Sequence, residues 1–163
     1  MVSEIIIVDE KDNLIGFKKR NSLKKEDIYR VSALWLINSK EDILLAKRHR
    51  NKLHHPRKWG PAVAGTVEKG ETYKLNIIKE AEEELGIKNI KPKLGPKTRT
   101  QNEYNYFTQW FILILDKNTD DFKIQREEVE EVKWFSKEEL LKELNKNPNE
   151  FLPNMKKYLN LFI

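Results

Sequence analysis

Alternating and continuous apolar runs, separated by polar turns, predict a succession of β-strands along the chain. The stretches with the length and the β-branched or aromatic content of strands are residues 4–8, 14–18, 30–38, 43–48, 97–104, 106–115 and 129–135. The polar turn at residues 9–13 predicts that the first two strands form a hairpin, and the turn at residues 38–42 predicts that the next two pair. Residues 19–27 and 91–96 are predicted as loops.

Three further stretches have helical periodicity. Residues 72–85 carry apolar side chains at the spacing of one helix face, namely Ile77, Ile78, Ala81 and Leu85. Gly86 follows them as a C-terminal cap. Ser136, with Glu139 three residues later, predicts a capping box for a helix that extends to about residue 145. A terminal amphipathic helix is predicted from the spacing of Phe151, Leu152, Met155, Leu159 and Phe162. Paired strands with helices behind them predict an α/β or α+β fold.

Length and composition favour one soluble domain. A chain of 163 residues with 39% hydrophobic and 10% aromatic residues is long and apolar enough to bury a core. We expect a single domain over residues 1–163, in which residues 1–28 form an N-terminal β-hairpin extension. The absence of cysteine excludes disulfides, thiolate zinc sites and a thiol nucleophile. The first apolar run is too short for a signal peptide or a membrane span, so we expect a cytoplasmic protein.

The helix predicted at residues 72–85 also carries a cluster of acids. An arc beside its apolar face holds three carboxylates, those of Glu80, Glu83 and Glu84. Carboxylates at that spacing repel one another unless a cation lies among them, and magnesium prefers oxygen ligands. The alternative is a solvated acidic helix in a chain that is 35% charged. The glycines at positions 65 and 70 and the acid Glu71 favour the metal site.

A basic stretch precedes this helix. The net charge is only +5, but six cations lie close together without an acid among them: Lys47, Arg48, Arg50, Lys52, Arg57 and Lys58. A basic wall beside a metal-binding helix suits a small-molecule substrate that carries phosphates, with Arg48, Lys52 and Lys58 as its contacts. Ordinary solvated cations are the alternative. A nucleic-acid partner is not expected, because neither interleaved aromatics nor a known module accompanies the patch.

Residues 65–87 resemble the Nudix box, whose pattern is G-x5-E-x7-R-E-U-x-E-E-x-G-U with U aliphatic. The matching positions are Gly65, Glu71, Glu80, Ala81, Glu83, Glu84, Gly86 and Ile87. Lys79 stands where the pattern has arginine, so it keeps the charge and loses the planar fork that makes two parallel bonds. We expect weakened orientation of the box acids and no loss of chemistry. The resemblance implies an α/β/α sandwich around a mixed β-sheet.

The same resemblance implies an Mg²⁺-dependent pyrophosphohydrolase, with Mn²⁺ as an alternative metal. The implied metal ligands are the carbonyl of Gly65 and the carboxylates of Glu80, Glu83 and Glu84. Lys79 and Glu71 would orient the box. Water would attack phosphorus in the diphosphate of a nucleoside diphosphate linked to another moiety. Glu80 or a loop acid, Glu127 or Glu128, would take the proton, although solvated turn acids are an equal interpretation of that pair.

Flanking stretches are similar to isopentenyl-diphosphate isomerase and its Nudix relatives. They comprise residues 8–16, 35–38 and 44–52 and the W-x5-G of residues 59–65. The isomerase has a cysteine and a histidine beside the box glycine and a metal-binding histidine before its strand, where this chain has Ala64, Thr66 and Tyr29. Without these proton carriers isomerisation is not expected. An isoprenoid-diphosphate enzyme and a catalytically silent phosphate- or nucleotide-binding module stay open, although a silent module predicts eroded box acids.

Tyr104, the histidines and the assembly leave further questions open. Tyr104 lies downstream of the box, where some dinucleoside polyphosphate hydrolases carry a tyrosine, but an aromatic beside a long strand more often belongs to the core. The histidines at positions 49, 54 and 55 lie in the basic stretch and are expected to contact phosphate or to have no role. A homodimer is compatible with the sequence.

Overall fold

In the computed structural model, which describes residues 2–163, the strands form one mixed β-sheet. The first residue of the predicted N-terminal extension lies outside the described residues. The strands are β1 Glu4–Val8, β2 Leu14–Lys19, β3 Ile28–Ile37, β4 Ile43–Arg48, β5 Trp59–Pro61, β6 Val63–Thr66, β7 Lys93–Gln101, β8 Asn105–Ile114 and β9 Val129–Phe135. The helices are α1 Tyr73–Leu85, α2 Lys137–Lys146 and α3 Met155–Phe162.

Strand β3 lies at the centre of the sheet. It is parallel to β8, from Tyr29 opposite Tyr106 to Ile37 opposite Ile114. It is also antiparallel to β1, β6 and β4. A parallel pair among antiparallel ones confirms the predicted mixed sheet. The β1–β2 hairpin and the β3–β4 pair are both present as predicted.

Helices cover both faces of this sheet. Successive residues of a strand point to opposite faces, so Leu36 of β3 lies in one cluster with Ile77 of α1. Its neighbour Trp35 lies on the other face, in a cluster with Leu140 of α2 and Leu159 of α3. The predicted α/β/α sandwich is therefore confirmed.

Helix α1 begins and ends where its sequence predicts. The Thr72 hydroxyl accepts the Leu75 N–H at 3.1 Å, which satisfies one of the free amides of the first turn. Gly86 has φ +68°, the left-handed conformation that favours glycine, and its N–H donates to the Glu82 carbonyl at 2.9 Å. Within residues 2–163, no helix is long and apolar enough to cross a membrane.

The prediction of a loop over residues 91–96 is wrong. Strand β7 begins at Lys93 and continues through a bulge that contains Gly95 and Pro96. The Gln109 side-chain amide donates to the carbonyls of Gly95 at 2.9 Å and Pro96 at 3.3 Å. This side chain satisfies backbone groups that the bulge leaves unpaired, so proline and glycine do not end the strand here.

The terminal helix begins at Met155 and not, as the apolar spacing predicts, at Phe151. Leu152 precedes Pro153, and a residue before proline is driven towards extended backbone. The Leu152 N–H donates to the Trp59 carbonyl at 2.9 Å. Phe151 and Leu152 therefore attach the chain to β5 before α3 begins.

Candidate functional site

Gly65 and Glu80 bring β6 and α1 into close contact. The Glu80 side chain packs against Gly65 so closely that a Cβ built on Gly65 would lie 2.8 Å from the Glu80 Cδ. A larger residue would displace Glu80, so this position requires glycine. The contact holds the Glu80 carboxylate beside the backbone of Gly65, and both residues are predicted metal ligands.

The Lys79 ammonium forms ion pairs with the acids around the contact between Gly65 and Glu80. It pairs with the Glu71 carboxylate and lies 3.4 Å from a Glu68 oxygen and 3.8 Å from a Glu80 oxygen. Burial lowers the pKa of Lys79, but the three carboxylates outweigh burial and raise the pKa above its ordinary value. One lysine thus contacts three acids, of which Glu68 is not specified by the box pattern.

Glu71 is held from several sides. Its Oε2 accepts the Glu68 N–H at 3.0 Å and the Asn76 amide at 2.8 Å, and its Oε1 pairs with Lys79. Burial raises the pKa of Glu71, yet hydrogen bonds from Lys79, the Glu68 backbone and Asn76 outweigh burial and hold the pKa below its ordinary value. Glu71 is therefore ionised and fixed, which suits the orienting role predicted for it.

Asn76 is a buried polar residue that the sequence analysis missed. It is fully buried, whereas Ile78 of the predicted apolar face is only partly buried. Its amide donates to Glu71 and, at 3.1 Å, to the Thr66 carbonyl, while the Ser32 hydroxyl donates to its side-chain oxygen. Buried polar groups need such partners. An amide beside the apolar stripe was the available signal, and its network ties α1 to β3 and β6.

Glu80 and Glu84 lie where a negative charge is unfavourable. Burial and the neighbouring Glu83 raise the pKa of Glu80 to about 7, against the opposing charge of Lys79. Burial, together with Glu80 and Glu128, raises the pKa of Glu84 to about 8, although nearby basic side chains oppose the shift. Both carboxylates would be stabilised in their ionised form by a cation between them.

The donor set of α1 fits a hard divalent cation by its chemistry. Glu80 and Glu84 are oxygen donors four residues apart, on one side of the helix, and Glu83 between them is exposed. In the part of the chain that the structure describes, residues 2–163, no three acidic or histidine side chains converge closely enough to enclose an ion. Metal binding by these residues and by Gly65 therefore stays a prediction.

Arg48 brings a cation from the basic stretch to the acids of α1. It ends β4, is half-buried and donates from Nε to the His54 carbonyl at 3.0 Å. Burial lowers the pKa of Arg48, while the charges of Glu128 and Glu84 oppose this shift. A guanidinium stays charged in proteins, so a permanent positive charge lies near Glu84.

Most of the chain matches a known family. The sequence model of the NUDIX domain matches residues 28–155. The chain belongs to the Nudix family. A prenyl-diphosphate phosphatase from Methanosarcina mazei is 30% identical and aligns with 96% of this chain and 91% of its own length. An isopentenyl-diphosphate Delta-isomerase from Aliivibrio fischeri is 27% identical, over 93% of this chain and 90% of its own, which confirms the predicted flanking similarity. A crystal structure of a Deinococcus radiodurans protein has the same fold, with a TM-score of 0.84 and 21% identity over 98% of this chain and 99% of its own.

Glu128 is the predicted loop acid that the structure places near the Nudix acids. Its carboxylate pairs with the Lys52 ammonium, and its negative charge contributes to the raised pKa of Glu84 in α1. Glu127 is exposed. Lys58, a predicted substrate contact, has its ammonium against the carbonyl of Asn149 near α3. The structure therefore brings Lys52 and Glu128 to the Nudix acids and turns Lys58 away from them.

A histidine–tyrosine contact lies beside the Nudix site. The predicted strand at residues 97–104 ends at Gln101, so Tyr104 lies in the turn between β7 and β8. The Tyr104 hydroxyl and the His54 Nδ1 share a hydrogen bond of 2.9 Å, and the two rings are 5.4 Å apart and nearly perpendicular. Because Arg48 holds the His54 carbonyl, this contact links the basic stretch to the β7–β8 turn.

Proposed function

We propose that this Nudix hydrolase cleaves a diphosphate linkage in a small-molecule substrate and that it requires Mg²⁺, with Mn²⁺ as a substitute. The observation that carries the proposal is the packing of Glu80 against Gly65, which joins the acids of α1 to the backbone of the box loop. Arg48 adds a positive charge near Glu84. The site therefore combines carboxylates that can bind a metal ion with a guanidinium that can bind phosphate oxygens. This combination suits a diphosphate substrate.

The chain's own residues would bind the substrate and position the acids. Arg48 uses only its Nε in a hydrogen bond within residues 2–163, so its terminal N–H groups can donate to phosphate oxygens. Lys79 and Glu71 hold the box loop against α1. Glu80, beside Gly65, would accept a proton from the attacking water, with Glu128 as the alternative base. A divalent cation held by the α1 acids would neutralise phosphate charge and acidify that water.

Two organic groups are candidates for the rest of the substrate. The sequence predicts a nucleoside diphosphate linked to another moiety. A prenyl diphosphate is the second candidate, because the Methanosarcina mazei relative is named for that substrate and aligns with 96% of this chain. Isomerase activity is not expected, since neither Ala64 nor Thr66 has a side chain that titrates near neutral pH and could act as the acid or base. The protein should therefore not exchange solvent deuterium into isopentenyl diphosphate.

A hydrolysis screen with and without Mg²⁺ tests the proposed function. The panel is nucleoside triphosphates, nucleotide sugars, dinucleotides, coenzyme A and prenyl diphosphates. Released phosphate is measured with inorganic pyrophosphatase present, so that pyrophosphate is also detected. Alkaline phosphatase is added for the nucleotide sugars and dinucleotides, whose diphosphates are esterified at both ends and which it does not attack. Cleavage of coenzyme A, which also carries a phosphomonoester, is followed by chromatography. We expect Mg²⁺-dependent release from at least one class. No release from any class, with or without a divalent metal, would favour the silent binding module.

Glutamine substitutions of the α1 acids test the metal ligands. Glu83→Gln and Glu84→Gln each keep the shape and remove one charged donor, so we expect turnover to fall at least about 100-fold. Glu82→Gln is the matched control, because Glu82 is exposed on the same helix. Thermal stability without metal should be unchanged or raised, since a repelling charge is lost. Near-native turnover of either variant at saturating Mg²⁺ would remove that residue from the ligand set.

A further inference from the structure

One face of the sheet is open beside the diphosphate site. The strand register places Thr66 of β6 next to Val31 of β3, and Tyr29 of β3 next to Tyr106 of β8. Alternate residues of a strand share a face. Five side chains thus form one surface, which we call the pocket face: Tyr29, Val31, Ala64, Thr66 and Tyr106.

Ala64 is the exposed member of the pocket face and lies at its edge, on β6. It is exposed, although its cross-strand partner Ala33 is 2% exposed and the preceding Val63 is 1% exposed. The other four members are half-buried. The cover of the sheet lies further along β3, where Phe162 of α3 stacks on Trp35 with ring centroids 4.6 Å apart. A small exposed residue within a paired strand makes this part of the sheet accessible to a ligand.

The exposed surface at Ala64 adjoins the acids of α1. Gly65 lies between Ala64 and Thr66, and Glu80 packs on the opposite face of the strand at Gly65. In residues 2–163, strand β6 pairs only with β3, so its other edge gives access to both faces. Neighbouring residues of a strand are about 3.3 Å apart. A group attached to a diphosphate at Gly65 can therefore pass directly onto Ala64.

The chemistry of the pocket face favours an apolar group. None of its five side chains is charged or carries an amide, and their polar atoms are the hydroxyls of one threonine and two tyrosines, while Arg20 is a charged side chain near Tyr29. The Tyr29 and Tyr106 rings form one wall, with centroids 5.4 Å apart and a tilt of 40°. Sites that select a nucleobase pair its edge with hydrogen-bonding groups, whereas a hydrocarbon needs only apolar surface.

We propose that the pocket face binds the hydrocarbon chain of a prenyl diphosphate and that Ala64 determines which chains fit. This inference rests on the proposed function, because the chain extends from the same diphosphate site. In the reaction, the oxygen of water bonds to the terminal phosphorus and the bond from that phosphorus to the bridging oxygen breaks. Prenyl monophosphate and inorganic phosphate leave, and the proton of water passes to Glu80 or to solvent.

Covering the pocket face at Ala64 tests this assignment. Ala64→Phe places a ring over the pocket face, and Ile114→Phe is the control, because Ile114 is 59% exposed at the opposite end of β8. The values of kcat and KM are measured for dimethylallyl, geranyl and farnesyl diphosphate and for ADP-ribose. For the unaltered protein we expect kcat/KM to be at least about tenfold higher for farnesyl diphosphate than for ADP-ribose. Ala64→Phe should abolish that preference, mainly through KM, and affect dimethylallyl diphosphate least.

Equilibrium binding separates this inference from the proposed function. Calorimetric titration of the unaltered protein and of Glu84→Gln, both without a divalent metal so that no turnover occurs, compares farnesyl diphosphate with inorganic pyrophosphate. We expect both proteins to bind farnesyl diphosphate at least about tenfold more tightly. Equal affinity for the two ligands, or a preference for ADP-ribose in turnover, would contradict prenyl binding by the pocket face. Neither result would contradict the proposed diphosphate hydrolysis. Tight binding of farnesyl diphosphate without turnover of any substrate would instead contradict the proposed hydrolase activity and support prenyl binding by the pocket face.

Discussion

Lys79 is the residue at which this chain departs from the Nudix pattern. Arginine would offer a planar fork to two carboxylates, whereas lysine offers a point charge with rotatable donors. The structure shows that this point charge reaches Glu68, Glu71 and Glu80 at once. These ion pairs do not need a planar fork, because the acids surround the ammonium.

Substitutions of Lys79 test whether charge or geometry matters. Lys79→Met leaves Glu71 partly buried without its cation, so we expect turnover to fall about 10- to 100-fold and the free energy of unfolding to fall by about 1–3 kcal/mol. Lys79→Arg should keep at least the native turnover. Lys74→Met is the control, because Lys74 is exposed on the same helix. Native kinetics in Lys79→Met would mean that Lys79 does not position the acids.

Among the elements, the β1–β2 turn is fastened to the start of α1. Asp12, whose carboxylate is 8% exposed, accepts hydrogen bonds from Arg30 of β3 and Lys97 of β7 at 2.7 Å and from Tyr73 at 3.0 Å. Tyr73 is the first residue of α1, and the Arg30 guanidinium and the Lys97 ammonium lie 5.1 and 5.2 Å from its ring centroid. One carboxylate thus joins four elements.

Asp12→Asn tests this junction through the pH dependence of stability. Burial raises the pKa of Asp12, but hydrogen bonds from Lys97, Arg30 and Tyr73 outweigh burial and hold the pKa below its ordinary value. The charged form therefore stabilises the fold above the unfolded pKa of about 4, and this contribution is lost as pH falls through the folded pKa. We expect Asp12→Asn to lower the free energy of unfolding by about 2 kcal/mol at pH 7.

Urea unfolding of both proteins at pH 7 and pH 3 measures this effect. The difference between them should shrink at pH 3. Asp120→Asn, at an exposed position, should match the unaltered protein at both values. If the difference in unfolding free energy between Asp12→Asn and the unaltered protein were the same at both pH values, the lost stability would come from changed packing and not from the lost charge.

At the scale of the whole molecule, the N-terminal hairpin lies outside the residues that match the NUDIX domain. It nevertheless carries core residues, since Ile5, Ile6, Ile7 and Val8 are each 5% exposed or less. The Ile6 N–H also donates to the Val67 carbonyl, and the Lys69 N–H to the Glu4 carbonyl, so β1 pairs with the loop that follows β6. We propose that the hairpin and the matched region form one domain.

Deletion of residues 2–27 tests this unity. The deletion loses the burial of four apolar side chains, which contributes roughly 6–12 kcal/mol, comparable with the whole stability of a domain, about 5–15 kcal/mol. We expect the shortened chain to show no cooperative unfolding transition by circular dichroism. Leu14→Ser, on an exposed position of β2, should change stability by less than about 0.5 kcal/mol. A cooperative transition with the native midpoint would make the hairpin a separate extension.

The sequence by itself determined the local elements and the spacing of the box. Glu4–Val8, Ile43–Arg48 and Val129–Phe135 are strands at the predicted bounds, because their apolar runs end at polar turns. Helix α1 was predictable from Thr72 and Gly86, since capping depends on neighbouring residues alone. The spacing of Glu80 and Glu84 on one helix side follows from the same local geometry.

Only the tertiary structure decided which distant groups meet. Ser32 and Asn76 are 44 residues apart, and His54 and Tyr104 are 50 apart, yet each pair is in contact. The parallel pairing of β3 with β8, the exposure of Ala64 and the turning of Lys58 towards Asn149 depend on the same long-range topology. Periodicity determines which side chains share a face of a strand or helix. What each face contacts depends on packing between remote elements, which must outweigh the entropy cost of closing the long loops between them.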